Sequence, residues 1–168
     1  LRDEGLVTIE PQKGARVFIL SEHEVEQICD FRQAIETAAF ENALNRNQEK
    51  LAKDMARIVQ EMKAAHQSVN EAKYLSLDTA FHQAIFQSCG NEYLSASYDR
   101  YVGKIGALRT HLSALPQHTE LSFEEHVGIS EAVAQSDMQE IKRLLAEHIG
   151  RTRQTYSSSI GLASSDAD

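Results

Sequence analysis

From residue 21 onward, apolar side chains recur at spacings of three and four, the period of an amphipathic helix. Ser21 followed by Glu24 has the signature of a capping box and opens a first helix running to about Asn45. Asn47 is placed to cap a second helix, whose stripe Met55, Ile58, Val59, Met62 and Val69 carries it to about Val69. Asn70 starts a third that ends near Ser88, before Gly90, and a fourth runs from Asn91 to about Leu112. The stretch around Pro116 reads as a loop. Ser122 with Glu125 forms a second capping box for a fifth helix to about Gln135, and Ser136 or Asp137 opens a sixth reaching about Tyr156. The tail SSSIGLASSDAD reads as disordered. The first twenty residues differ: a helix end at Gly5 gives way to alternating segments that predict a β-hairpin turning at Gln12-Lys13-Gly14. The expected fold is all-α, an antiparallel bundle of six to seven helices preceded by a short hairpin. It divides into residues 1–20, a bundle over 21–156 and a tail over 157–168.

Four polar residues interrupt the apolar stripes. Asp78 and His82 lie four apart on a face continued by Ile85 and Cys89; His126 shares a stripe with Ile129 and Val133; His148 completes the series Ile141, Leu144, Leu145. An unpaired polar group buried on such a seam costs roughly 1–3 kcal/mol or more, so the four call for a common partner, and a divalent metal is the simplest. Imidazoles with one carboxylate suit Zn, Ni, Mn or Fe and make a poor calcium cage. Periodicity alone does not separate these histidines from His66, close to Met62 and Val69, and a hydrogen-bonded core histidine remains the competing reading for each. His23, His111 and His118 read as surface or loop residues. Arg32 and Arg109 are candidate partners for an anionic ligand, with a solvated or salt-bridged arginine as the alternative.

Composition narrows the classes. No run approaches the ~20 apolar residues of a membrane helix, and no signal peptide opens the chain. A formal net charge of −8 argues against a large nucleic-acid surface on this segment. Cys29 and Cys89 lack CxxC spacing and read as small core residues in a reducing, cytoplasmic compartment. Leu1 is not a natural start, which suggests a piece of a longer protein.

The stretches DFRQAIETAAFENA, LDTAFHQAIFQSCGNEYL and EEHVGISEAVAQSDMQEIKRLLAEHI together resemble the C-terminal effector-binding (FCD) domain of FadR-type GntR transcription regulators. The specific features are Asp-x-x-x-His followed by Gly-Asn, the Glu-His of the fifth helix and the histidine near the end of the sixth. The opening LRDEGLVTIEPQKGARV is similar to the end of the recognition helix and the wing of the same family's winged helix-turn-helix domain, so residues 1–20 are read as a remnant of it. The resemblance implies a dimeric helical domain that binds a divalent metal through Asp78, His82, His126 and His148. It further implies a small carboxylate effector beside the metal, with Arg32 and Arg109 in its pocket, and operator DNA as the partner of the DNA-binding domain. Arg2, Lys13 and Arg16 are then the remnant's expected phosphate contacts. On this reading the protein is no enzyme; the alternatives are a metal-dependent enzyme on a helical bundle or a structural dimerisation module. Against the enzyme, neither a His-Glu-x-x-His motif nor a Glu-x-x-His pair is present.

Overall fold

A computed structural model of the chain describes residues 7–10, 14–17 and 20–165. Two short strands, β1 (Val7–Glu10) and β2 (Gly14–Val17), pair antiparallel with Val7 opposite Val17 and Thr8 opposite Arg16. The expected turn at residues 12–13 lies outside the described residues, as do Arg2, Lys13 and the last three residues of the tail. The described helices are α1 (Glu22–Gln67), α2 (Glu71–Cys89), α3 (Glu92–Asp99), α4 (Val102–Ser113), α5 (Pro116–Ala134) and α6 (Met138–Ser165). The fold is an all-α bundle in which α1 packs on α2, α5 and α6, and α5 packs on α6.

The boundaries follow from local chemistry. Ser21 accepts the Glu24 backbone N–H while the Glu24 carboxylate takes that of Ser21, the reciprocal cap that opens α1. The first two expected helices are continuous apart from Asn47, whose φ of −146° and ψ of 38° break the helical geometry. This bend is pinned: Asn47 Nδ2 donates to the Ser88 carbonyl at 2.8 Å, and Gln48 Nε2 to that of Val133 at 3.0 Å. Asn70 caps α2 through the Lys73 N–H, and Asn91 caps α3 through Tyr93 and Leu94.

Four expectations are corrected. The single fourth helix is two, α3 and α4, separated at Arg100 and Tyr101. Pro116 opens α5 instead of lying in a loop, because proline's fixed φ and missing N–H suit a first helical turn. The Ser122 capping box is therefore not a helix start; Ser122 is buried within α5. Finally, α6 continues to Ser165, so residues 157–165 of the expected disordered tail are helical.

The core draws on every long helix, with Phe40, Met55 and Met62 of α1, Phe81 and Ile85 of α2, and Ile141 and Leu145 of α6 all essentially inaccessible. Cys29 and Cys89 are free thiols inside it. Gly90 ends α2 in the left-handed region with φ of 61°, where an added Cβ would also meet the Arg46 side chain at 3.1 Å. Gly90→Ala is expected to destabilise the fold by about 1–2 kcal/mol, the cost of a left-handed alanine. Urea denaturation checks this, and an unchanged midpoint would contradict it.

Candidate metal centre

The helices bring the three expected histidines to one place, with Asp78 outside their immediate cluster. His82 from α2, His126 from α5 and His148 from α6 are all buried, and one ring nitrogen of each lies within 4.8 Å of the others. Nε2 of His82 and Nε2 of His126 are 3.3 Å apart. Without an ion, one of these nitrogens can carry a proton and donate to the other; the same spacing suits two ligands of one ion, since metal–nitrogen bonds of about 2.0–2.1 Å place neighbouring donors roughly 3.0–3.4 Å apart.

Asp78 stands at the edge of this group. Its Oδ1 lies 3.8 Å from His82 Nε2 and 2.8 Å from Nε of Arg109, so the carboxylate is shared between the triad and a guanidinium. The Arg109 contact is an ion pair without good hydrogen-bond geometry, and Asp78 Oδ1, His126 Nδ1 and Arg109 Nη2 are buried with no hydrogen bond among the described residues. Orphaned buried groups of both signs around one point are the mark of a site built for something charged. The donor set, three imidazoles and a carboxylate, fits a divalent transition ion.

Carboxylates stand behind the rings. Glu36 on α1 meets His82 Nδ1 at 2.8 Å and takes Nε–H of Arg32 at 2.7 Å. Glu125 on α5 meets His148 Nδ1 at 2.7 Å and is gripped by both Nε and Nη2 of Arg151. Arg151 also donates from Nη1 to Nδ1 of His118 at 2.8 Å. Arginine has no acceptor, so this His118 nitrogen must be bare and the ring proton sits on Nε2.

Burial would raise all three carboxyl groups, but neighbouring charges win. Arg32 and His82 hold Glu36 well below the usual range; Arg109, then the three histidines, do so for Asp78; Arg151 and His148 bring Glu125 down to about 2. The imidazoles move the other way. Burial pushes His82 down to about 3 against the opposing pull of Glu36, takes His126 well below its ordinary value against Asp78, and with Arg151 brings His118 to about 4. Neutral rings are the form that ligates metal.

A cavity of about 20 Å³, room for roughly one water, opens among Arg32, Asp78, Arg109, His118, Ser122 and His148. Both sequence-predicted arginines therefore reach the site. Arg32 pairs through its Nε with Glu36 and Arg109 through its Nε with Asp78, while Arg109 Nη2 has no hydrogen bond among the described residues. His66 is not part of it: it pairs at 2.8 Å with Glu120 and stacks on Phe123 at the surface side of α5. Arg16 is on β2, remote in sequence from the site. Reading the sequence missed Glu36, Glu125, Arg151 and His118. Glu36 lies one turn after Arg32, and Arg151 one turn after His148, so helical spacing carried a signal for both; His118 was assigned to a loop that is in fact the first turn of α5.

Comparison with known proteins agrees with this architecture. Residues 27–151 match the FCD domain. The chain is 30% identical over 94 residues to the gluconate operon transcriptional repressor of Bacillus licheniformis, an alignment covering 56% of this chain and 38% of that protein. It is 29% identical over 156 residues to the HTH-type transcriptional repressor GlaR of Escherichia coli K12, covering 87% and 70%. Among solved structures, the metal-free FCD domain of TM0439 superposes with a TM-score of 0.73 at 18% identity, over 86% of this chain and 99% of that one. Among the described residues no helix is long and apolar enough to cross a membrane. The chain thus spans well under half the length of the gluconate repressor it matches, and it belongs to the FCD domain family, the helical domain of GntR-type transcription regulators.

Proposed function

We propose that this domain senses a small organic acid for a GntR-type regulator, using a divalent metal held by His82, His126, His148 and Asp78. The observation that carries the reading is the convergence of three buried imidazoles from three helices. Charge supports the acid. Three carboxylates (Glu36, Asp78, Glu125) face three arginines (Arg32, Arg109, Arg151), so the ion-free site is formally balanced. A dication then adds charge that only an anion can offset inside a low-dielectric core. The ion would supply a Lewis-acidic anchor for that anion.

Arg109 is the principal acid-binding residue, since it lines the cavity and its Nη2 has no hydrogen bond among the described residues, and Arg32 acts mainly by holding Glu36. In the whole protein, an acid that favours one arrangement of a homodimer by about 1–3 kcal/mol changes operator affinity by one to two decades. Residues 1–20, with Arg2, Lys13 and Arg16, would belong to the DNA-binding side.

Thermal melts of Zn²⁺- or Ni²⁺-loaded protein against a panel of small mono-, di- and hydroxycarboxylates test the reading, with metal analysis of the purified protein alongside. Arg109→Lys keeps a cation for Asp78 but removes the planar fork. It is expected to weaken acid binding roughly 10–100-fold, the equivalent of one charged hydrogen bond, while metal content is retained. Absence of any metal-dependent acid response in the wild type would defeat the proposal.

A further inference from the structure

Two of the three imidazoles at the centre are gripped from behind by the same kind of assembly. In the first, Arg32 and Glu36 of α1 hold His82 of α2; in the second, Arg151 of α6 and Glu125 of α5 hold His148 of α6. Among the described residues the third ring, His126, has no counterpart, and its Nδ1 is buried without a hydrogen bond. Two separately built Arg–Glu–His chains on different helices, both ending on Nδ1 of a ring in one cluster, call for a common reason.

Stability is a poor one. Glu36 and Arg32 are essentially inaccessible, and buried ion pairs of this sort are often no more stabilising than well-packed apolar residues of equal volume. Ring chemistry is a better one. An ionised carboxylate can only accept, so the neutral imidazole facing it must carry its proton on Nδ1 and leave Nε2 bare. For His82 that bare nitrogen is the one 3.3 Å from His126. The arginine in each chain keeps its glutamate ionised and fixes the plane in which it meets the ring. We infer that Glu36 and Glu125, each clamped by its arginine, are positioning residues that fix the tautomer and orientation of His82 and His148 for a divalent ion. Given that this rests on the metal reading above, it assigns metal affinity to four residues outside the ligand set.

Glu125 is the better one to test, being partly accessible and so more tolerant of change than Glu36. Zn²⁺ affinity and the long-range proton–nitrogen spectra of ring-labelled histidines are measured for wild type, Glu125→Leu, Glu125→Gln and the control Glu120→Gln. Glu120 makes a comparable 2.8 Å contact, with His66, away from the centre. Metal-free wild type is expected to show His148 protonated on Nδ1. Glu125→Leu should bind Zn²⁺ about 10–100-fold more weakly and shift His148 toward the Nε2–H tautomer. Glu125→Gln, which keeps an amide oxygen and the side-chain volume, should show a smaller loss and decides the matter if the leucine variant does not fold; Glu120→Gln should match wild type. A wild-type His148 protonated on Nε2, or Glu125 variants equal to wild type in both tautomer and affinity, would overturn the inference. If wild type binds no Zn²⁺, the metal reading fails, and the metal-free spectra still decide whether the glutamate sets the ring.

Discussion

The wild-type domain supplied with Zn²⁺ or Ni²⁺ at about a thousand times its dissociation constant is expected to gain about 4 kcal/mol, the mass-action term for a ligand that binds only the folded state. For a chain of this length that raises the melting temperature by roughly 8–16 °C, and a chelator should reverse it. His126→Ala is expected to abolish the rise. His126 is the right residue because removing it breaks the 3.3 Å contact with His82 while disturbing no ion pair. Its metal-free cost is limited: a cavity opens beside Phe81, whose ring centroid is 4.5 Å away, but an unsatisfied buried nitrogen disappears with the ring. Calorimetry with and without metal separates the two effects. A His126→Ala variant that kept the full metal-induced shift would remove this triad from the metal chemistry.

The second large effect is on acid stability. His82 titrates at about 3 and His126 well below its ordinary value of 6.5, because both rings are buried as neutral groups. Between those values and about 6.5 the unfolded chain binds more protons than the native one. Stability is therefore fully present above pH 6.5 and drains away as the pH falls toward 3, on the order of several kcal/mol for the two rings together. His118, titrating at about 4, acts in the same sense but is partly open to solvent and adds less. Glu36 and Asp78, held low by their arginines, extend the loss below the ordinary carboxylate range. Urea denaturation of metal-free protein at a series of pH values should show this slope. A stability constant from pH 7 to 4.5 would mean the rings are not held neutral. Saturating metal should leave the onset of the loss in place, because the unfolded histidines set it, but raise stability throughout and carry the folded protein to lower pH before it unfolds, since ligation competes with protons for the same nitrogens.

How much of this the sequence disclosed depends on how local each cause is. Ser21, Asn70 and Asn91 act on backbone groups two or three residues away, and their helix starts were legible. The histidines were legible as misfits on apolar stripes, because periodicity reports which way a side chain faces. What periodicity omits is the partner across the interface. Glu125 looked like half of a capping box, and only the packing of α5 on α6 shows that it faces His148 and Arg151. The same limit explains Asp78, whose position on the α2 stripe was clear while its ion pair with Arg109 of α4 depended on a contact 31 positions away along the chain, from residue 78 to residue 109. The break at Tyr101 has no glycine or proline to mark it, and the start at Pro116 was missed because proline suits either a loop or a first helical turn.

One contact near the end of the chain ties the site to what precedes it. The Tyr156 hydroxyl donates to the Leu20 carbonyl at 2.7 Å, both groups buried, two residues ahead of α1. Tyr156 lies on α6 eight residues beyond His148, a distance of about 12 Å along a rigid rod. The helix that carries His148 of the candidate centre thus also holds, two turns further on, Leu20 just ahead of α1. A rotation or slide of α6 at His148 would therefore reach Leu20 through a single rigid helix and one hydrogen bond.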